Sequence, residues 1–516
     1  MATLSETYAA DRLTGAAGAP SRLLWTARIT AAAVLIPQLP ALLWWMGTHS
    51  SLYQRGWINI EYLVLLCVAL LWPSWLTLGL LTAEMCLALL EPVAHLYYFH
   101  PGDVLFSLRY LRFLPAVRLT EYALLLFLYA ACCGVALRWA VGRSRHPAAP
   151  ATVAGILVCA IVAAGAGLTM KSHSLKLKLS TADVRGGKLV RAPMTSLLVA
   201  MGSYSHDTRS GPGDVELDSA LARAMTQVPV GAQPDIVLVL TESWGLASDS
   251  RINVAETLPY TNPELTSRYH VITGTVPFDG ATTSGETREL CGNAEGVASL
   301  SSPAGYFASC WPARLNRDGY RTVAVHGFTP TMFRREAWYS RFGFRQSVFQ
   351  PQLLRDGGAM CGGAFPGVCD ADVASWIGDR LLQSTAGPPT FVHWVTLNSH
   401  LPVPPPADTA ARGRCASVGI AGQEGLCSWF NLVLRVHQSI AQLAANRSRP
   451  AIFIIVGDHA PPFLRAETRA RFSQSRVPYV ILAPHVFDAA PAPRMMRAAN
   501  DAAPSARNHR HNRVTR

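Results

Sequence analysis

The segment Pro234-Asp235-Ile236-Val237-Leu238-Val239-Leu240-Thr241-Glu242-Ser243-Trp244-Gly245 passes from a proline and an aspartate through an unbroken aliphatic run into a carboxylate. A strand with one wet face would alternate polar and apolar residues. An aliphatic run without alternation belongs to a strand buried on both faces, the usual state of a parallel strand covered by helices. Similar runs recur at Thr322–His326, Thr390–Leu397, Ala451–Val456 and Tyr479–Leu482, separated by stretches long enough for helices. This alternation predicts an α/β domain over residues 234–490, built on a doubly wound, mostly parallel sheet.

The polar residues that end these runs carry the chemistry. Glu242 follows Leu240, His326 follows Val325, His400 comes just after Leu397, and Asp458 and His459 follow Val456. Each is expected at the carboxyl end of a strand, where open α/β sheets place their ligands. Glu242, Asp458 and His459 offer two carboxylates and an imidazole, a set better suited to Zn²⁺ or Mn²⁺ than to Ca²⁺. Taken singly, each has a plainer reading: Asp458-His459 as a turn cap beside a surface histidine, Glu242 as a helix N-terminal charge. The segment Gly280-Ala281-Thr282-Thr283-Ser284-Gly285-Glu286 precedes a helix-like run, Thr287–Cys291. Thr283 and Glu286 have the spacing of a capping box. A hydroxyl at such a helix start also faces free N–H groups, which lower the cost of an alkoxide and hold phosphate oxygens. A metal ion would complete its activation.

The chain has 516 residues, of which 50% are hydrophobic, and a mean hydropathy of +0.20. The apolar residues are concentrated before Leu168. A spanning helix needs about 20 mostly apolar residues, and candidates run Leu24–Trp45, Ile58–Leu76, Leu78–Tyr98, Leu119–Ala140 and Val153–Thr169. Residues 24–169 are therefore expected to form a membrane domain of about five helices after a cytoplasmic N-terminus, 1–23, with Pro73 at a turn. Further spans follow the first and no small-residue cleavage site does, so it is not a cleavable leader. Glu61 and Glu84 fall inside these spans. Arg12, Arg22 and Arg28, with Arg138, Arg143 and Arg145, favour cytoplasmic placement of their segments and bring the α/β domain outside. Arg109, Arg112 and Arg118 disagree, unless Phe106–Leu119 is an interfacial helix. Residues 170–233 read as a linker with short helices, and 491–516 as a disordered basic tail.

The net charge of +12 belongs largely to topology-setting arginines and this tail, so no nucleic-acid partner is expected. Anionic lipid head groups are compatible with it. Of 11 cysteines, Cys67, Cys86, Cys132, Cys133 and Cys159 lie in apolar runs. Cys291, Cys310, Cys361, Cys369, Cys415 and Cys427 lie in the polar part, without the CxxC spacing of a zinc ribbon. Local disulfides Cys291–Cys310, Cys361–Cys369 and Cys415–Cys427 are the simplest of the connectivities that six cysteines allow. Disulfides also call for an oxidising, extracytoplasmic compartment.

The 234–245 segment, Gly280–Gly292, Asn398-Ser399-His400-Leu401-Pro402 and Gly457-Asp458-His459 together resemble the sulfatase-like branch of the alkaline phosphatase superfamily. The pattern is most similar to lipoteichoic acid synthase and related phosphoglycerol and phosphoethanolamine transferases, over about Pro234 to Pro484. The resemblance implies a metal site of Glu242, Thr282, Asp458 and His459, with Thr282 as nucleophile. Leu290-Cys291-Gly292 matches the Leu-x-Gly that closes the family's nucleophile segment and selects Thr282 over Thr283. His400 matches a histidine that binds the transferred phosphate or protonates the leaving group. His326, Phe333 and Arg335 resemble a His, Trp and Arg that hold the head group, with Phe replacing Trp. Arg335 is then expected to grip phosphate bidentately.

Departures narrow the subclass. Thr282-Thr283-Ser284-Gly285-Glu286 lacks the Pro and Arg of the Cys/Ser-x-Pro-x-Arg motif of true sulfatases. The Cys-Gly-Thr-x-Thr-Ala segment usual in lipid A phosphoethanolamine transferases is also absent. Ala460-Pro461-Pro462-Phe463 after His459 differs from both groups. The function implied is transfer of a phosphoglycerol or phosphoethanolamine head group from a phospholipid to a cell-envelope glycan or lipid at a bacterial cytoplasmic membrane, with the catalytic domain periplasmic. Alternatives are a metal-dependent phosphodiesterase of the same superfamily, or a non-catalytic envelope-binding protein on this fold.

Overall fold

A computed structural model describes residues 19–48, 58–90, 93, 96–99, 111–112, 116–142, 146–169, 190–191, 218–296, 299, 304–363, 365–383, 387–405, 409–447 and 449–489. The expected tail at 491–516 and most of the 170–233 linker lie outside these residues. So does most of the interfacial helix expected at Phe106–Leu119.

The α/β domain is organised around β1 (Asp235–Thr241), every residue of which is buried. It lies parallel between β5 (Thr390–Val395) and β6 (Ala451–Gly457), with Val237 opposite both Val392 and Phe453. β3 (Arg321–His326) follows β5 in the sheet and β4 (Gln346–Phe349) forms one edge, both parallel. Beyond β6 come β7 (Arg476–Pro484) and β2 (Tyr269–Pro277), both antiparallel. The order is β2-β7-β6-β1-β5-β3-β4. The four aliphatic runs that end in candidate ligands are thus the four neighbouring strands β6, β1, β5 and β3, and their carboxyl ends share one rim.

Two features differ from the expectation. The Tyr479–Leu482 run sits in an antiparallel strand. A parallel return is usually made through a crossover helix packed on the sheet, and the connection from β6 to β7 contains only the short helix Ala466–Arg469. β2 and β4 were not anticipated. β2 is an edge strand whose residues are mostly half-exposed, so it lacks the unbroken apolar run that marks the central strands. β4 spans only Gln346–Phe349.

Helices cover the sheet in two groups. α1 (Ser250–Thr257) and α4 (Asp370–Leu381) both pack on α5 (Glu424–Ala445). In the other group α2 (Thr282–Cys291) and α3 (Arg335–Phe342) both pack on Trp311–Arg317. α5 buries Leu426, Phe430, Val433, His437, Ile440 and Ala444, the i, i+3, i+4 stripe of a helix lying on a sheet. Disulfides join Cys291 to Cys310, Cys361 to Cys369 and Cys415 to Cys427. The first ties the end of α2 to the helix starting at Trp311, and the third ties Thr409–Ser417 to α5. The second closes a small hairpin.

The N-terminal part forms apolar helices Ala19–Val34, Leu39–Thr48, Ile60–Leu71, Trp75–Leu87, Ala116–Val141 and Ala149–Thr169. Among the described residues, only Leu119–Val141 is long and apolar enough to cross a membrane, with 23 residues and a hydropathy of 2.0. The expected span Leu24–Trp45 is interrupted at Ile36–Gln38, where Pro37 interrupts the helical hydrogen bonding. Ile60–Leu71 and Trp75–Leu87 flank Pro73 and have 12 and 13 residues. At about 1.5 Å per residue they fall well short of a hydrocarbon core about 30 Å thick. Glu84 is buried, and Asn59 Nδ2 donates to it at 2.8 Å.

Gly457 ends β6 where the chain passes under Trp244. A Cβ there would stand 1.9 Å from the Trp244 carbonyl oxygen and 3.2 Å from Val477 Cβ. Backbone cannot yield as a flexible side chain can. Gly457→Ala should therefore cost about 1–3 kcal/mol, read as a lower denaturation midpoint of the purified chain.

Candidate active site

Two strand ends and one helix start build the centre of the site. Glu242 leaves β1, Asp458 and His459 leave β6, and all three are buried. Thr282 is the first residue of α2, after Ala281 in extended conformation. Its Oγ1 donates to Glu242 Oε2 at 3.1 Å and lies 3.4 Å from His459 Nε2. α2 can come this close because residue 285 is glycine: a Cβ there would be 3.1 Å from both Cα and Cβ of Asp458. The capping-box reading does not hold. Thr283 is inside the helix, and Glu286 turns into the core rather than back to the helix start.

The turn after Glu242 is strained and tied down. Ser243 has φ 56, a left-handed conformation that costs a non-glycine residue about 1–3 kcal/mol. Its N–H donates to Asp458 Oδ1 at 2.7 Å, its Oγ donates to Glu242 Oε1 at 2.8 Å, and its carbonyl accepts from Trp429 Nε1 at 2.9 Å. The strain fixes one carboxylate and braces the other.

The arrangement fits a cation. His459 Nδ1 donates to the Ala460 carbonyl at 2.9 Å, which leaves the Nε2 lone pair facing inward. That lone pair lies 3.3 Å from Asp458 Oδ2 and 3.8 Å from Glu242 Oε1. Asp458 Oδ2 is buried without a hydrogen-bond partner. Burial, with the Glu242 charge beside it, pushes the Asp458 carboxyl up to about 7. Lone pairs converging in a dry pocket repel one another unless a positive charge lies between them. Glu242, Asp458 and His459 each offer a ligand atom within 4.8 Å of the others, and the Thr282 hydroxyl is beside them.

His400 stands on the loop after β5. Ser399 Oγ donates to the Glu242 carbonyl at 2.5 Å, and Glu242 N–H donates to Thr396 Oγ1 at 2.9 Å. The Asp370 carboxylate accepts the N–H groups of Leu397 and Asn398. His400 Nδ1 donates to the Leu401 carbonyl at 2.7 Å, leaving Nε2 as an acceptor. Burial, with His459 nearby, lowers its pKa to about 4, so the imidazole is neutral. The edge-on ring of Phe365, from the Cys361–Cys369 hairpin, lies 4.6 Å from it. Phe365 and Phe333 pack on Phe328, Met332 and Leu397, forming an apolar cluster beside His400.

Arg335 is placed differently from its expected role. Its Nε and Nη2 both donate to Glu286 Oε1, at 3.0 and 2.7 Å, and Nη1 lies 3.5 Å from His326 Nε2. The guanidinium fork is thus directed at a carboxylate one helical turn beyond Thr282. Tyr339 OH donates to the other Glu286 oxygen at 2.6 Å. His326 Nδ1 donates to the Val395 carbonyl, and burial with the Arg335 charge lowers its pKa to about 3. Phe333 and Arg334 both have positive φ, 53 and 56, so the segment before α3 stores strain beside the site.

Sequence reasoning missed several contributors. Ser243, Thr396 and Asp370 act through backbone groups, which no motif reports; Ser399 was visible only as a neighbour of His400. Tyr98, where the third apolar run ends, has its ring 5.5 Å from the His459 ring and edge-on to Phe278 at 5.2 Å. Its hydroxyl donates to Gln474 Oε1 at 2.9 Å.

The family described as Sulfatase matches residues 234–509, more than half of the chain, and the protein belongs to that family. Among curated proteins no match is found. Solved structures with a similar fold include a protein in the alkaline phosphatase superfamily from Vibrio parahaemolyticus (17% identity, 55% of this chain and 68% of that one, TM-score 0.37). Others are the lipoteichoic acid synthase LtaP from Listeria monocytogenes (12%, 55% and 72%, 0.36) and the Streptococcus pyogenes phosphoglycerol transferase GacH in complex with sn-glycerol-1-phosphate (16%, 54% and 74%, 0.34). Likenesses this distant say nothing of substrate.

Glu286 is fully buried. Burial alone would raise its pKa, but the Arg335 charge and His393 overcome it and hold the carboxyl at about 2. A depressed carboxyl stabilises the fold above its unfolded pKa and loses that contribution as pH falls toward 2. Arg335→Met should therefore cost about 3–5 kcal/mol at neutral pH by stranding Glu286, and adding Glu286→Gln should recover much of the loss. Chemical denaturation of the three chains checks this.

Proposed function

We propose that this protein is a membrane-anchored, metal-dependent transferase. It moves a phosphoglycerol or phosphoethanolamine head group from a phospholipid to a hydroxyl of a cell-envelope glycan or lipid, through a phosphothreonine on Thr282. The observation that carries the reading is the Thr282 hydroxyl at a helix start, 3.1 Å from Glu242 Oε2 and 3.4 Å from His459 Nε2. Glu242, Asp458, His459 and Thr282 would hold one divalent ion, Zn²⁺ or Mn²⁺. When bound, that ion supplies positive charge against the Thr282 alkoxide and the phosphoryl oxygens.

The chain's own groups do the rest. The free N–H groups at the start of α2 face the incoming phosphate. As Thr282 Oγ1 forms its bond to phosphorus, its proton leaves along the hydrogen bond it already makes to Glu242 Oε2. The bond from phosphorus to the diacylglycerol oxygen breaks, and that oxygen takes a proton delivered from solvent through His400 Nε2. The second half-reaction is the reverse, with the acceptor hydroxyl in place of diacylglycerol. His326 and Phe333 line the head-group side, and Arg335 positions α2 through Glu286.

The proposed organisation is a cytoplasmic N-terminus at 1–23, an apolar membrane anchor within 24–169, a linker at 170–233, and a catalytic domain at 234–490 on the periplasmic face of a bacterial cytoplasmic membrane. A lipid donor that stays in the bilayer favours a tethered site. The helix Leu119–Val141 and the exposed apolar side chains of Trp72, Trp75 and Leu76 support an anchor. Three disulfides in the catalytic domain support an oxidising compartment.

Incubating the full chain with phospholipid and no acceptor should add the mass of one head-group phosphoryl unit to the peptide carrying Thr282. Thr282→Ala should abolish both the adduct and turnover while leaving the denaturation midpoint unchanged. Turnover by Thr282→Ala at the wild-type rate would end the reading. Tyr98 is proposed to position the lipid donor against the site. Tyr98→Ala should raise KM for the phospholipid about three- to tenfold, the worth of one aromatic contact, about 0.5–1.5 kcal/mol. Hydrolysis of a soluble aryl phosphodiester should stay unchanged.

A further inference from the structure

A second convergence of metal-ligating atoms lies at the opposite, antiparallel side of the sheet. His270 is on the edge strand β2, opposite Ala483 of β7 in the register. His485 and Asp488 lie in the short 3-10 helix that follows β7 directly. His270 Nε2 is 2.7 Å from Asp488 Oδ2 and 2.9 Å from His485 Nδ1. His485 Nδ1 is 3.7 Å from Asp488 Oδ2. We infer that His270, His485 and Asp488 form a second divalent-metal site, distinct from the one at Glu242, binding a borderline ion such as Zn²⁺.

Tautomers decide between a metal site and an ordinary hydrogen-bonded triad. His485 Nε2 lies 3.0 Å from the Thr266 carbonyl and must carry a hydrogen there. In the neutral ring Nδ1 is then a bare lone pair, aimed at His270 Nε2. A carbonyl held against the far nitrogen in this way orients metal-ligating histidines, and His459 has the same arrangement, with the Ala460 carbonyl on its Nδ1. His270 Nε2 faces two acceptors, the His485 lone pair and the Asp488 carboxylate, and has at most one hydrogen to offer. A cation in place of that hydrogen satisfies all three atoms at once.

The donor set is two imidazoles and one carboxylate, which suits Zn²⁺ rather than Ca²⁺ or Mg²⁺. The perpendicular rings, at 81° with centroids 4.0 Å apart, let both nitrogens point to one centre. For bonds of about 2.0–2.1 Å in tetrahedral geometry, ligand atoms stand roughly 3.3 Å apart. The observed separations need shifts of a few tenths of an ångström, which exposed side chains allow. Side-chain exposures of 48%, 36% and 63% for His270, His485 and Asp488 leave the fourth position to water. Such an ion would clamp the edge strand β2 to the segment that leaves β7. His485 N–H, donating to the Arg268 carbonyl, already begins that clamp.

The test is metal stoichiometry on the untagged full chain in detergent, stripped with a chelator and titrated with Zn²⁺. Wild type should bind one equivalent more than Asp488→Asn. In a Glu242→Gln, Asp458→Asn background, which disables the other site, one equivalent should remain and be lost on adding His485→Ala or Asp488→Asn. In that background Co²⁺ should give the visible absorption of a tetrahedral site, and Asp488→Asn should remove it. The inference is overturned if the disabled background binds no Zn²⁺, or if its equivalent survives both substitutions. It is also overturned if His509→Ala with His511→Ala removes the ion, which would then belong to the tail. None of these outcomes depends on whether Thr282 is a nucleophile.

Discussion

Two buried carboxylates, a buried bare imidazole nitrogen and a half-buried hydroxyl are held within contact of one another, and the surrounding structure is arranged to keep them there. Such a cluster opposes folding when it has no counter-charge. Desolvation penalises each charge, and the repulsion between Glu242 and Asp458 adds to it. The chain concentrates its least comfortable geometry at the same place. Ser243 adopts a left-handed conformation, Gly457 passes against the Trp244 carbonyl, and α2 approaches Asp458 so closely that a side chain at 285 would stand 3.1 Å from it. Strain and unpaired charge at one rim are what a site held ready for a cation and an anionic substrate requires.

Around that cluster, polar groups act as struts rather than as reactants. Thr396, Ser399 and Asp370 hold backbone N–H and carbonyl groups of the loops after β1 and β5, so that Glu242 and His400 keep a fixed relation. The Glu286–Arg335–Tyr339 network anchors α2 one turn beyond Thr282. Its charges are fully desolvated and mutually satisfied, which makes it rigid and intolerant of losing one member. Arg335 therefore serves the site from behind, through the helix that carries Thr282.

The apolar contributions come from outside the central sheet. The Cys361–Cys369 hairpin brings Phe365 against His400, and Tyr98 reaches from an N-terminal apolar run to the His459 ring. The lipid-derived substrate proposed above would present both a charged phosphate and greasy chains. A dry, charged centre flanked by aromatic rings from separate segments can meet both. Sequence-distant elements supply the aromatic walls, while the parallel strands supply the charges.

The sequence alone determined the central strands, because a strand buried on both faces must be continuously apolar, and β1, β3, β5 and β6 are. It also pointed to Glu242, His326, His400, Asp458 and His459 as polar residues at or just after the ends of apolar runs, whereas Thr282 was singled out over Thr283 by the family resemblance. Proximity pointed to the three disulfide pairs. Strands with a half-exposed face were not legible: β2 mixes exposed and buried positions, and β7 reads like a parallel strand although it pairs antiparallel with both β6 and β2. The apolar runs before Leu168 gave composition but not continuity, and Pro37 and Pro73 break what hydropathy counts as whole spans. Tertiary structure alone decided where Arg335 points, that Tyr98 meets His459, and that His270, His485 and Asp488 converge. Those facts depend on pairings between distant segments. Local pattern registers what a residue is, whereas its partners follow from how β2 meets β7 and how α3 meets α2.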